Sequence, residues 1–138
     1  MNKILLVEDN PNDADLAKMA ISRTPFTGLV THLEDGVAAV EYLTRPDAQL
    51  PLVVLLDLKL PRLNGLEVLK QVKNHPGCAN VPVVMLTSSR ELADIEESYR
   101  LGVNSYVVKP VNFDDYQRVI RELIGYWTDI NQPPLATA

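Results

Sequence analysis

One cysteine in 138 residues leaves Cys78 with no internal partner, so no disulfide staples the chain and a reducing compartment suits it. Aromatic residues make up only 6%, which predicts a mostly aliphatic core. No apolar run approaches the ~20 residues that a membrane-spanning helix needs. The first apolar run, residues 4–7, is also too short for the core of a secretory signal. A cytoplasmic location, away from membranes, is the expectation. Positive charge is scarce too: 13 Lys and Arg stand against 18 Asp and Glu, for a net charge of −5. With no basic run and no basic–aromatic alternation, direct nucleic-acid binding is excluded as a function class. Internal repeats, low-complexity segments and a second domain are likewise absent.

What remains is an ordinary globular complement. With 46% hydrophobic residues the chain can bury a core unaided, as one domain. Short apolar runs alternate with longer amphipathic stretches five times. Strands are predicted at residues 4–7, 28–33, 52–56, 81–86 and 105–108. Asn10-Pro11 turns the chain into a helix carrying Leu16, Met19 and Ala20 at helical spacing. A short helix carries Val37, Val40, Tyr42 and Leu43, and another covers residues 64–73. Ser89 is placed as N-cap of a helix over residues 90–101, which Gly102 ends. A long last helix reaches Trp127, and residues 128–138 read as a loose, non-helical tail. Strict alternation of strand and helix predicts an α/β fold. Its parallel sheet is doubly wound with helices on both faces, in the flavodoxin-like order 2-1-3-4-5.

In such sheets, ligands sit at the carboxyl ends of the strands. There the chain places Glu8 and Asp9 after the first run, Asp57 after the third, Thr87 after the fourth and Lys109 after the fifth. Each has a bland reading: Glu8-Asp9 as part of a turn before Pro11, Asp57 and Thr87 as caps, Lys109 as a solvated strand end. Their conjunction at the ends of four strands is specific. Three crowded carboxylates repel one another unless a hard cation such as Mg²⁺ (or Mn²⁺) joins them, leaving coordination positions for a phosphoryl group. Asp57 is then a nucleophile suited to an aspartyl phosphate, with Thr87 and Lys109 to neutralise the transferred group.

On these residues the chain resembles the receiver domains of two-component response regulators, over residues 3–127. The matching stretches are Ile4-Leu5-Leu6-Val7-Glu8-Asp9-Asn10, Leu55-Leu56-Asp57-Leu58-Lys59-Leu60-Pro61 with Asn64-Gly65, Val84-Met85-Leu86-Thr87-Ser88 and Tyr106-Val107-Val108-Lys109-Pro110. The resemblance implies Asp57 as phosphoacceptor, with Glu8, Asp9, Asp57 and the backbone carbonyl of Lys59 as the Mg²⁺ shell. It implies Thr87 as switch hydroxyl, Tyr106 as switch aromatic and Lys109 as phosphate contact, with a cis bond to Pro110. The protein would be a signalling phosphoacceptor rather than an enzyme, served by a sensor histidine kinase and acting on a downstream protein target. The loop around residues 75–80 and the aromatic-ended last helix are similar to the small receivers that partner bacterial phytochrome kinases, a group of dimers.

Phosphorylation would draw Thr87 toward Asp57 and let Tyr106 rotate inward, biasing an existing equilibrium. Phe113, Tyr116, Ile120, Leu123 and Trp127 form an apolar stripe on the last helix, widened by Val119 and Ile124. It is read either as a homodimer surface or as a well-buried face. A haloacid-dehalogenase-type phosphatase would want a second Asp where Lys59 stands. A cofactor-binding flavodoxin fold would want a phosphate-cradling loop where Glu8-Asp9 stand. The remaining alternative is a phosphorylation-independent interaction module on the same fold.

Overall fold

Runs of Val, Leu and Ile with no interrupting charge have one comfortable place in a folded chain, a strand covered on both faces. A computed structural model describes residues 2–134 and sets five strands side by side, three of them fully buried between two partly exposed edge strands. They are β1 (Lys3–Val7), β2 (Leu29–Leu33), β3 (Val53–Leu56), β4 (Val83–Thr87) and β5 (Ser105–Val108). All pairings are parallel and the order is β2-β1-β3-β4-β5, as expected. The connecting helices are α1 (Pro11–Ser22), α2 (Gly36–Thr44), α3 (Gly65–Asn74), α4 (Leu92–Arg100) and α5 (Phe113–Gly125).

Strand alternation divides the core in two. Leu5, Val7, Val54, Leu56, Val83 and Met85 face Ala39 and Leu43 of α2 and Val68, Leu69 and Val72 of α3. Ile4, Leu6, Val53, Leu55, Val84 and Leu86 face Ala17, Ala20 and Ile21 of α1 and Tyr116, Ile120 and Ile124 of α5. The core is aliphatic, as the scarcity of aromatics requires.

Several expectations need correction. Helix α1 packs through small residues, Ala14, Ala17 and Ala20 with Ile21, while Leu16 and Met19 are 39% and 38% exposed. Small side chains let the helix lie close to the sheet, which turns its larger apolar residues to the rim. Ser89 is not the N-cap of α4: Glu91 occupies that position and makes no side-chain cap, while Ser89 stands two residues before it. The stripe on α5 is the packing face of the helix. Tyr116 and Ile120 are buried against the sheet, and Phe113, Leu123 and Trp127 are half-buried on the same core. Winding also continues past Trp127, as a π-helical turn over Tyr126–Ile130 whose Asn131 N–H returns to the Tyr126 carbonyl at 2.7 Å. The non-helical tail therefore cannot begin at Thr128, and residues 135–138 of it lie outside the described residues.

Candidate functional site

The register of β1, β3, β4 and β5 ends these strands side by side, so the residues that follow share one cleft. Glu8 and Asp9 leave β1 just before α1. Asn10 caps that helix, its side chain accepting the Asp13 N–H at 3.1 Å, and Pro11 supplies a first turn that needs no donor. The backbone therefore turns sharply after Asp9 and leaves both acids facing the sheet end. Asp57 follows β3 directly and its Oδ1 accepts the Leu58 N–H at 2.7 Å. The start of α3 presses on this turn so closely that a Cβ added to Gly65 would lie 2.3 Å from the Asp57 carbonyl oxygen.

One carboxylate oxygen from each of Glu8, Asp9 and Asp57 lies within 4.8 Å of the others. Lys109, after β5, brings its ammonium into this group. Its Nζ is 2.8 Å from Glu8 Oε1, 3.6 Å from Asp57 Oδ2 and 3.6 Å from Asp13 Oδ2. Burial pushes the Glu8 carboxyl up to about 7, with the Asp57 charge adding to the rise and Lys109 opposing it. Burial disfavours the Lys109 ammonium, yet its hydrogen bond to Glu8 and the charges of Asp57, Glu8 and Asp13 together outweigh that and raise its pKa. Thr87 is 2% exposed, and its carbonyl accepts the Lys109 N–H at 2.8 Å. Beneath the cleft, burial holds the Tyr116 phenol up at about 12.

Glu8, Asp9, Asp57 and Lys109 thus converge as the strand ends predicted, and Thr87 ends the neighbouring strand. The Lys59 side chain is exposed at the mouth, where it lines an open pocket with Asp9, Asn64 and Asp94. Tyr106 is half-buried against the α3-side core, and its hydroxyl donates to the Ser89 carbonyl at 3.0 Å. The phenol therefore bridges from β5 to the β4–α4 turn. The Lys109–Pro110 bond is trans, against the cis bond that the resemblance implied. For an X–Pro bond the two isomers differ by only ~0.5–1 kcal/mol, so sequence alone does not choose between them.

Two neighbours escaped the sequence reading. Asp13 looked like an acid favoring the start of a helix, and nothing in its spacing signalled Lys109. His32, in β2, places Nε2 2.8 Å from the Glu8 carbonyl, so that nitrogen carries the ring proton and the contact steadies the turn at Glu8. The alternation of β2 could have found it, since Leu33 aligns with Val7 and His32 with Leu6.

Residues 4–121 match the family described as response regulator receiver domain. The chain belongs to that family. Among similar proteins, the probable methanogenesis regulatory protein FilR2 of Methanothrix harundinacea is 43% identical, over 95% of this chain and 86% of its own. Response regulator Rcp1 of a Synechocystis species is 34% identical, over 96% of this chain and 93% of its own. The Mn²⁺-bound form of Rcp1 superposes with a TM-score of 0.89, at 33% identity, over 97% of this chain and 99% of that one. The phosphorylated cyanobacterial phytochrome response regulator RcpA superposes at 0.91, with 34% identity, over 96% of this chain and 98% of that one. The receiver fold, with its sheet order and its five helices, is shared with these structures. Among the described residues no helix is long and apolar enough to cross a membrane.

Proposed function

We propose that this receiver domain takes a phosphoryl group onto Asp57 from a sensor histidine kinase and passes the signal to a protein target. The observation that carries this reading is the triad of carboxylates within 4.8 Å, with the Lys109 ammonium 3.6 Å from Asp57. A nucleophilic carboxylate faces a cation, and no second acid stands where a phosphatase would need one. The phosphorylation-independent module has no use for three crowded carboxylates, one of them the buried Glu8.

The donor set fits a hard divalent ion. Carboxylate oxygens from Glu8, Asp9 and Asp57, with the Lys59 backbone carbonyl, would hold Mg²⁺ or Mn²⁺. Bound there, the ion supplies positive charge that lets an anionic phosphoryl group approach three carboxylates. A carboxylate oxygen of Asp57 attacks phosphorus, forming a P–O bond as the P–N bond of the donor phosphohistidine breaks, its electron pair staying on the imidazole. Lys109 and the Thr87 hydroxyl donate to the phosphoryl oxygens, and Tyr106 follows the displacement of Thr87. Residues 1–127 act as the receiver, in the cytoplasm. Likeness to the phytochrome response regulator RcpA supports a phytochrome as the kinase.

In the same reading two copies associate at the edge beside β5. There Val119, Leu123, Tyr126 and Trp127 border an open groove of about 540 Å³. Light scattering at micromolar concentration tests this, and a monomer with and without phosphorylation would refute it.

The phosphoacceptor is tested by incubation with acetyl phosphate, with and without Mg²⁺, followed by intact mass. The expected product is a Mg²⁺-dependent, hydroxylamine-labile adduct that Asp57→Asn abolishes. An adduct that persists in Asp57→Asn would relocate the acceptor, and none in the unaltered chain would reject the reading.

A further inference from the structure

Lys3 opens β1 and is only 9% exposed, on the side of the sheet that Leu5 and Val7 share with Tyr42 of α2. Its ammonium has three N–H bonds to donate. Among the described residues it meets one acceptor, the Tyr42 hydroxyl, at 2.6 Å. The phenol oxygen accepts that bond, and its own O–H donates to no acceptor among the described residues. Arg45, just past the end of α2, holds its guanidinium 4.9 Å from the centre of the same ring, and Lys3 Nζ lies 5.2 Å from it. The ion pairs among the described residues use Arg62, Arg100, Lys109 and Arg118, and neither Lys3 nor Arg45 joins one. Glu41 and Asp47, the nearest acids in sequence, are exposed.

A second lysine at this pole shows the contrast. Lys73 spends its ammonium on two backbone carbonyls and the Asn104 side chain. Lys3 has no such set, although a buried charge without a partner is costly. Instead it lines a groove of about 640 Å³ between residues 48–52 and 76–82, with Leu50, Pro51 and Pro82 as apolar wall. That volume is in the range of small-molecule sites.

We propose that Lys3, Tyr42 and Arg45 form an anion site at the pole opposite Asp57, for a phosphate monoester whose small apolar body lies along the groove. Two uncompensated cations match the two charges that such an ester approaches at neutral pH, its second pKa being about 6. The spare ammonium N–H bonds and the phenol O–H supply donors to the phosphoryl oxygens. The net charge of −5 does not forbid this. Glu8 lies five residues further along the chain, ~16 Å at ~3.3 Å per residue, beyond the Debye length of ~8 Å at physiological ionic strength. The site does not depend on phosphorylation of Asp57.

The test is made in metal-free buffer, where three carboxylates repel anions from the Asp57 cleft. Phenyl phosphate, inorganic phosphate and benzoate are titrated into the ¹⁵N-labelled full chain. Amide signals of residues 2–3, 42–52 and 76–82 should shift with phenyl phosphate. Inorganic phosphate lacks the apolar body and benzoate carries one charge, so both should bind more weakly. Lys3→Met keeps the aliphatic stem and should raise the dissociation constant of phenyl phosphate about tenfold or more, as loss of a hydrogen bond to a charged group does. Phenyl phosphate should raise the Tm of the unaltered chain but not of that variant. Tyr42→Phe removes only the hydroxyl, should also weaken binding, and carries the test should Lys3→Met not fold. Unchanged affinity in both variants, or shifts scattered away from the groove, would overturn the site. Benzoate bound as tightly as phenyl phosphate would overturn the choice of a phosphate ester. Absence of an adduct on Asp57 would bear on the phosphoacceptor reading alone.

Discussion

Glu8 is 3% exposed and carries its carboxylate beside two others, so its ionisation is the costliest in the cleft. Its pKa stands at about 7, raised above the 4.5 of an unfolded chain, so the folded protein holds a proton there that the unfolded one has released. The stability from this group is complete below 4.5, falls as pH rises, and is gone above about 7. In metal-free buffer the unfolding free energy of Glu8→Gln should therefore depend less on pH across that window than that of the unaltered chain, as urea titrations would reveal. Equal slopes would mean that Lys109 fully compensates the burial. Lys109 itself serves three carboxylates from one ammonium. Lys109→Met should cut the rate of adduct formation by ~10²-fold, the usual loss when a preorganised charge partner is removed. A rate within a few-fold of the original would assign the neutralisation elsewhere.

Two glycines show how the helices are seated. A Cβ at Gly36 would fall 1.8 Å from the Leu63 carbonyl oxygen, and one at Gly65 would fall 2.3 Å from that of Asp57. Both contacts are with backbone, which cannot step aside as a side chain can. Gly36→Ala and Gly65→Ala should each destabilise by ~1–3 kcal/mol or more, as overpacked sites do, measured by chemical denaturation. Gly65→Ala should also slow phosphorylation, because the displaced backbone is that of Asp57, while Gly36→Ala should slow it less. These contacts mark the boundary of what the sequence made legible. The three central strands were readable because near-uninterrupted Val, Leu and Ile suit only a doubly covered strand, and the acids at their ends followed from that placement. The helix faces were not, because α1 packs through alanines and leaves Leu16 and Met19 at the rim, against the usual rule of size. The hydrogen bonds that meet at Ser89 were missed for a different reason. Its partners Thr87, Asp94 and Tyr106 come from three elements, and no local pattern brings them together.

On the scale of the whole molecule, the cleft concentrates negative charge in a chain whose net charge is already −5. A divalent ion that binds only the folded state at 100 times its dissociation constant adds about 2.7 kcal/mol, a rise of several degrees in Tm for a chain of this size. Scanning calorimetry with Mg²⁺ should show that rise, and it should vanish in Asp9→Asn/Asp57→Asn. A rise retained in the double variant would locate the ion outside the cleft. The far pole of the sheet is held together differently. Lys73 of α3 extends its ammonium to the carbonyls of Ala79 and Val81 and to Asn104 Oδ1, at 3.3, 2.9 and 2.9 Å. Lys73→Met should take the ammonium from the Ala79 and Val81 carbonyls, leaving Asn104 Oδ1 only the Val83 N–H, and cost ~1–3 kcal/mol in denaturation, without altering adduct formation.

Beside that pole, Asn2 and Pro134 line one groove of about 640 Å³, together with Leu50, Pro82 and Cys78. After the π-helical turn, Pro133 and Pro134 reach this groove. Both ends of the described chain thus emerge at the pole opposite the acidic cleft. Anything tethered at Asn2 or Pro134 is anchored on the side away from Asp57 and leaves the approach of a kinase unobstructed.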